Sequence, residues 1–372
     1  MSLSSTRRTL LKTGLALALP LPVLAQTQAP ARRFEPQVGD WRRFELTTSI
    51  SVPDARGATR LWLPLPDVQT DYQQSLDNRW TGNAASVQVV RDAAHGVRML
   101  QADFPESVGA PVLQLTSELK TRSRAVDLSR PAAAPVQEDP AVLRAAMAPT
   151  ELLPVDGIVR KTAAEATRGA RTDLDKVRGI YQWVVANAHR EPTTRGCGTG
   201  DIRTMLETGN LGGKCADLNA VFVGLCRASG IPARDVYGLR LAPSAFGYRE
   251  LGGNSASLKG AQHCRAEVFL KEFGWVAMDP ADVLKVMRQE TPEWIKDPAH
   301  PLVAPVMAGL FGGWEGNWVA FNTAHDLVLP GSAEKGTLPF LMYPQGENAG
   351  GRFDSLAPDA FRYTIAAKEV TA

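Results

Sequence analysis

Cys215 follows Gly212-Gly213-Lys214 and leads directly into an apolar run that stops at Gly230-Ile231-Pro232. That pattern predicts a cysteine in the first turn of a helix. A helix N-terminus carries about half a positive charge and spare N–H groups, so a thiol placed there is biased toward thiolate, the form that attacks carbonyls. A thiolate attacking an amide also needs an imidazole to hold and return a proton, and a carboxylate or amide to orient that imidazole. His263 opens one strand of an expected hairpin and Asp279 closes the next. In a register that pairs 265 with 279, the two are diagonal neighbours about 7–8 Å apart at the backbone, a gap an imidazole can span.

Those three residues need a helix and a hairpin to hold them, and the surrounding patterns supply both. Cys215 to Ser229 reads as a helix whose apolar residues, Ala216, Leu218, Val221, Phe222 and Leu225, wrap most of its circumference, as befits a buried central helix. Gly230 and Pro232 end it. Two helices precede it, Gly157 to Thr167 and one capped by Thr172 with Leu174, Val177, Ile180, Tyr181 and Val184 along one face. The period then changes to two in Asp235–Leu241, His263–Leu270 and Trp275–Met278, the last two forming a hairpin around Gly274.

Upstream, alternation through Phe44, Leu46, Ile50 and Val52, and again at 61–65, 86–90 and 112–119, predicts an antiparallel β-sandwich over 26–130. Pro64 and Pro66 mark an edge or a strand end there. A Pro- and Ala-rich stretch makes 131–156 a linker. The core then spans 157–290, and 291–372 is expected as a C-terminal β extension packed on that core.

The first 25 residues read as an export signal of the twin-arginine type: Arg7-Arg8, then the apolar run 14–24, then Val23-Leu24-Ala25 with small residues placed for a signal peptidase. A general secretory signal is the rival reading. Losing Arg7, Arg8 and Lys12 takes the formal charge from +2 to −1, which leaves nothing basic enough to suggest nucleic acid. No later apolar run reaches the roughly 18 residues that cross a bilayer. The mature chain is therefore expected to be soluble and periplasmic, with no membrane attachment after cleavage.

Five histidines and four cysteines, with no CxxC and no HExxH, make a metal site unexpected. Cys226 lies eleven residues beyond Cys215, about 16 Å along a helix axis, too far for a disulfide. It reads as a small buried hydrophobe. A Cys197–Cys264 bridge stays open.

Cys-Ala-Asp-Leu-Asn at 215–219, Gly-Ile-Pro-Ala-Arg at 230–234, His263 with Ala266-Glu267-Val268, and Gly274-Trp275 through Asp279-Pro280 together resemble the transglutaminase-like superfamily, over roughly 172–283. The resemblance implies an α+β fold: a papain-like transglutaminase core, with a central helix packed on an antiparallel β-sheet, preceded by the β-sandwich domain. It implies Cys215 as nucleophile, His263 as general base then acid, and Asp279 as orienter. Many relatives carry an aromatic residue two places after the histidine, where this chain has Arg265, so substrate contacts near His263 are expected to differ. The backbone N–H of Cys215 is the natural oxyanion donor, with Asn210, Gln182 or Trp183 as side-chain partners.

The expected activity is cysteine-dependent acyl transfer that cleaves amide or peptide bonds of a protein or peptide substrate through a thioester, without a cofactor. Hydrolysis is favoured, since no acidic loop resembles the calcium sites of animal transglutaminases. A transglutaminase that joins a glutamine side chain to an amine, and a non-catalytic scaffold of the same fold, are the rivals. Glu267 is either a structural salt bridge or a substrate contact, and Asp282 lies near the hairpin. Asp217 complements the helix dipole. His189, His300 and His325 read as surface or core residues, although His325-Asp326 invites a metal reading that lacks a third ligand.

Overall fold

The computed structural model describes residues 32–357 and 361–370, so the expected export signal lies outside the described residues. Among these residues no helix is long and apolar enough to cross a membrane.

Alternation in the first third becomes strands of two sheets. Arg42–Ser51 pairs with Val112–Thr121, which also pairs with Gln73–Gly82. Thr59–Pro64 pairs with Arg98–Phe104, which pairs with Ser86–Arg91. The inward residues of both sheets, among them Phe44, Leu46, Ile50, Leu61, Leu63, Leu100, Phe104 and Leu115, meet in one apolar cluster. Pro64 ends its strand opposite Met99, and that strand lies inside its sheet, so the proline marks an end and not an edge.

The central helix, Cys215–Ala228, buries thirteen of its fourteen residues. Leu218, Val221, Phe222 and Leu225 leave water completely, each contributing about 1.5–3 kcal/mol. Its end is a paired hydrogen-bond motif: the Ile231 N–H reaches the Cys226 carbonyl and the Gly230 N–H the Arg227 carbonyl, both at 3.0 Å. The reversal needs a left-handed residue, and Gly230 supplies it at φ +82°. Helices Gly157–Ala166 and Asp173–Asn187 pack against this one, the second opened by a capping box between Thr172 and Asp175.

On another side the helix meets a four-stranded antiparallel sheet, ordered Gly274–Met278, Gln262–Leu270, Ala233–Arg240, Trp318–Asn322. Every residue of the Gln262–Leu270 strand, which carries the histidine, is buried. The hairpin pairs Ala266 with Met278, which is the register that sets 265 opposite 279.

Two segments behave differently from expectation. The stretch expected as a linker is tied to the hairpin: Ala132 and Val136 donate N–H bonds to the carbonyls of Glu272 and Lys271, the Trp275 indole donates to Glu138, and Pro140–Ala145 is helical. Extended Pro- and Ala-rich backbone keeps its polar groups free to pair with a neighbouring turn, and here it does. The C-terminal part, expected on the core, divides. Trp318–Asn322 completes the core sheet, but Gln345–Asn348 pairs with Thr59–Pro64, and Arg362–Val370 pairs with Arg42–Ser51 throughout. Alternation marks a strand without saying which sheet it will join.

Candidate active site

Cys215 is the first residue of the central helix and is 3% exposed. Asp217, within the same first turn, accepts N–H bonds from Thr199, Gly200 and Lys214 at 2.9–3.0 Å. It thereby latches the 197–200 loop to the helix head, a larger task than complementing a dipole. Gly198 makes room for it: at φ +88°, any Cβ would fall 1.7 Å from the Asp217 carboxylate. The Ala216 N–H to Cys197 carbonyl bond, 3.0 Å, completes the latch, and Cys197 shares the cleft wall with Cys215.

Three sulfurs consequently gather. The Cys264 thiol faces Cys215 Sγ at 3.7 Å, and Cys197 Sγ receives the Tyr343 hydroxyl at 3.1 Å. All four cysteines are free thiols, so Cys197 and Cys264 are not bridged. The nearby Cys197 and the Cys264 thiol, followed by His263 and its charge, hold the Cys215 thiol well below its ordinary pKa against the cost of burial. Both neighbouring thiols are pushed up, Cys197 first through its bond to Cys215 and Cys264 first through burial, so they remain donors. Cys226, eleven residues on, sits fully buried in the apolar core with its thiol raised by burial alone, as a small hydrophobe should.

His263 Nε2 meets Asp279 Oδ2 at 2.7 Å and Asp282 Oδ2 at 3.3 Å, which leaves Nδ1 free of both carboxylates. Asp279 is wholly buried and caps the helix Pro280–Gln289 through Oδ1 and the Asp282 N–H. Asn219, one turn past the nucleophile, donates to Asp279 Oδ1 at 3.3 Å and to the Cys264 carbonyl at 2.9 Å, tying the two elements together. Burial and Arg240 pull the His263 pKa down. Asp282, Asp279 and the Asp279 hydrogen bond outweigh them and raise it to about 9. Opposite shifts on sulfur and imidazole favour a thiolate–imidazolium pair.

Sequence placed the second carboxylate, Asp282, near the hairpin but gave it no role. Asp282 forms an ion pair with Arg240 at 2.6 Å; burial opposes its charge, but Arg240 and then His263 hold it well below the usual carboxylate range. Asp279 is raised instead, by burial and by Asp282 beside it. His263, Asp279 and Asp282 could together approach a metal ion, but their donor atoms are already committed to one another, to Arg240 and to Arg265, whose Nε lies 3.8 Å from Asp279.

Arg265 therefore has a role other than the one its position suggested. It lies beneath the site, stacked on Trp318 and Trp314 at 4.6 and 5.4 Å, and donates to the Glu315 carbonyl. It does not line the cleft. Glu267, on the same strand face, is held between Arg124 and Arg234, with Arg234 Nε at 2.7 Å, so it is the structural salt bridge and not a substrate contact. His189 stacks near Trp294, and His300 Nδ1 accepts the Leu302 N–H. His325 pairs with Asp235 at 2.8 Å and with the Tyr237 hydroxyl, so its partner is not the adjacent Asp326.

A cleft of about 440 Å³ opens over Cys215 and His263, lined in addition by Cys197, Lys214, Gln262 and Tyr343 among others. Asn210, Gln182 and Trp183 are not in its wall. Gln262 does line it: Oε1 is fixed by the Gly260 N–H at 3.0 Å, and Nε2 is buried without a partner among the described residues. The C-terminal segment closes one side through Tyr343, Ser355, Leu356 and Tyr363.

Helix, sheet and the three converging side chains define a class of α+β protein that sets a cysteine at the head of a buried helix against a sheet-borne histidine. The chain belongs to the transglutaminase-like superfamily, whose model matches residues 160–280. An uncharacterized protein of Haemophilus influenzae is 34% identical over 348 residues, covering 88% of this chain and 91% of its own length. Among solved structures, a candidate cysteine protease from Cytophaga hutchinsonii matches 89% of this chain and 99% of its own at 15% identity, with a TM-score of 0.48. The periplasmic domain of TgpA from Pseudomonas aeruginosa matches 73% and 98% at 15% identity, with a TM-score of 0.33.

Proposed function

We propose that this chain is a periplasmic cysteine hydrolase that cleaves amide or peptide bonds of a protein or peptide substrate. The observation that carries the reading is that Cys215 and His263 line one cleft, with buried Asp279 bonded to His263 behind it, the thiol shifted down and the imidazole shifted up. The Cys215 thiolate attacks the carbonyl carbon. The oxyanion that forms is met by the Cys215 N–H, which as the first residue of its helix has no intrahelical partner. His263 gives its proton to the leaving amine as the C–N bond breaks, leaving a thioester. Neutral His263 then takes a proton from water, the hydroxide adds, and the thiolate leaves as the carboxylic acid departs. Asp279 holds the ring so that Nδ1 faces sulfur throughout.

Water is favoured over an amine as the second nucleophile because the cleft wall is basic, with Arg190, Lys214 and Lys259 beside the thiol. A protonated lysine substrate would be repelled there. The non-catalytic scaffold gains no support from Arg265, which lies beneath the site and not in the cleft wall. Periplasmic placement is supported by the export-type pattern at 1–25. The test is to trap an acyl-thioester on Cys215 from cell-envelope extract and identify the acyl group by mass spectrometry. Its absence from wild type, under conditions that label the thiol, would overturn the proposal.

A further inference from the structure

The cleft holds more positive charge than peptide hydrolysis requires. Arg190, Lys214, Arg240, Lys259 and Lys285 all line it, and among the described residues its wall contains no carboxylate side chain. Two of the five are neutralised at once, Arg240 by Asp282 at 2.6 Å and Lys285 by Glu250 at 3.3 Å. Among the described residues no ion pair holds Arg190, Lys214 or Lys259. Arg190 Nε rests on the Gln289 amide oxygen at 3.0 Å, and the Lys259 ammonium lies over the Tyr363 ring, 5.2 Å from its centroid. Burial and then the nearby Arg190 hold the Lys214 ammonium below its ordinary pKa, as expected of like charges crowded into one concave wall.

Nothing in the catalytic group offsets this excess. Cys215 thiolate and His263 imidazolium cancel, as do Asp279 and Asp282 against Arg265 and Arg240. A concave wall of one sign raises the local concentration of opposite charge. The cavity, about 440 Å³, lies in the lower part of the roughly 300–1,000 Å³ range of small-ligand sites. It suits a short extended segment.

Resting on the hydrolase reading, we propose that the substrate is an acidic peptide, with an aspartate or glutamate carboxylate within a residue of the bond cleaved, held by Lys214, Lys259 and Arg190. Lys214 immediately precedes the nucleophile, so its ammonium can reach a group that flanks the reacting carbonyl. Lys259 and Arg190 come from separate segments of the chain and line the same cleft, so the carboxylate has more than one donor within it.

Two measurements on the full-length protein test this, and the first needs no turnover. Cys215 is alkylated with iodoacetate or with iodoacetamide, the site is confirmed by mass spectrometry, and the rate ratio is normalised to that of free cysteine. A ratio of about 10 in favour of the anion is expected, falling toward 1 in 1 M salt and in the Lys214→Met/Lys259→Met variant. A ratio at or below 1 in wild type, or one that salt leaves untouched, overturns the assignment. The second measurement compares kcat/KM for matched peptides with glutamate, glutamine or phosphoserine beside the scissile bond. Glutamate is expected to lead glutamine about 10-fold; parity, or a lead for phosphoserine, overturns the carboxylate. Anion-favoured alkylation with no peptide cleaved supports the charge assignment while counting against hydrolysis, and cleavage without charge preference does the reverse.

Discussion

Two buried histidines in this molecule each bond a buried aspartate, and only one lines a cleft together with a thiol. His263 meets Asp279 at 2.7 Å; His325 meets Asp235 at 2.8 Å and the Tyr237 hydroxyl as well. Both pairs involve the same antiparallel sheet, and each histidine lines a cavity, of about 440 and 330 Å³ respectively. What separates them is the environment of the other ring nitrogen. His263 faces a thiol at a helix head, and a second carboxylate, Asp282, helps raise it to about 9. The cavity at His325 has no thiol in its wall, and its carboxylate partner is single. A histidine–aspartate pair is thus a common structural bond, and the sulfur with its charge network makes one of them a site.

The sharpest way to break this comparison is to truncate both sides. Cys215→Ala should abolish turnover, a loss of about 10⁴-fold or more, while shifting the melting temperature by only about 2 °C; a large loss of stability would make the residue structural. His263→Ala should cost a similar factor in kcat/KM. His325→Ala should leave kcat/KM within about 3-fold and instead lower unfolding stability by about 1–3 kcal/mol, because Asp235 and Tyr237 are left without their buried partner. Turnover and denaturant melts on the same preparations separate the two outcomes.

Smaller effects resolve the roles of the two carboxylates. Asp279→Asn should lower kcat about 10²- to 10³-fold, by loosening the ring and weakening the imidazolium. Asp282→Asn should act chiefly on pH dependence, moving the alkaline limb of kcat/KM from about 9 toward neutrality. The sign follows from His263: its folded pKa lies above the unfolded value, so its charge stabilises the fold fully below about 6.5, and that contribution is lost as pH rises through about 9. Activity should fall over the same upper limb, as the imidazolium that protonates the leaving amine disappears. Cys264→Ala should give the smallest change, a few-fold loss of rate at low pH as the Cys215 thiol drifts upward without one of its donors.

Much of this was legible in the amino-acid order because local rules are strong there. The central helix begins at Cys215 and ends at Gly230 for reasons written into those residues, and Thr172 caps as its side chain dictates. Parity along the hairpin strands set His263 beside Asp279. The remainder depends on distant pieces of chain. Cys197 reaches the nucleophile only because Asp217 gathers the 197–200 loop, and Tyr343 and Tyr363 close the cleft from the far end of the sequence. Asp282 matters through Arg240, forty-two residues away. Charge compensation of that kind leaves no periodic trace. The one departure from the family pattern, Arg265, misled for a related reason: residue type showed a cation near the histidine but not that two tryptophans would hold it beneath the site.

The claim on which all of this rests is that Cys215 is already a thiolate paired with His263 at neutral pH. Its rate of alkylation by neutral iodoacetamide, followed from pH 4 to 10 with the labelled cysteine identified, measures that directly. A rate already near its plateau at pH 6, and far above those of Cys197, Cys226 and Cys264, is the expected result. A rate that rises only through about pH 8.5, as for an ordinary thiol, would contradict it.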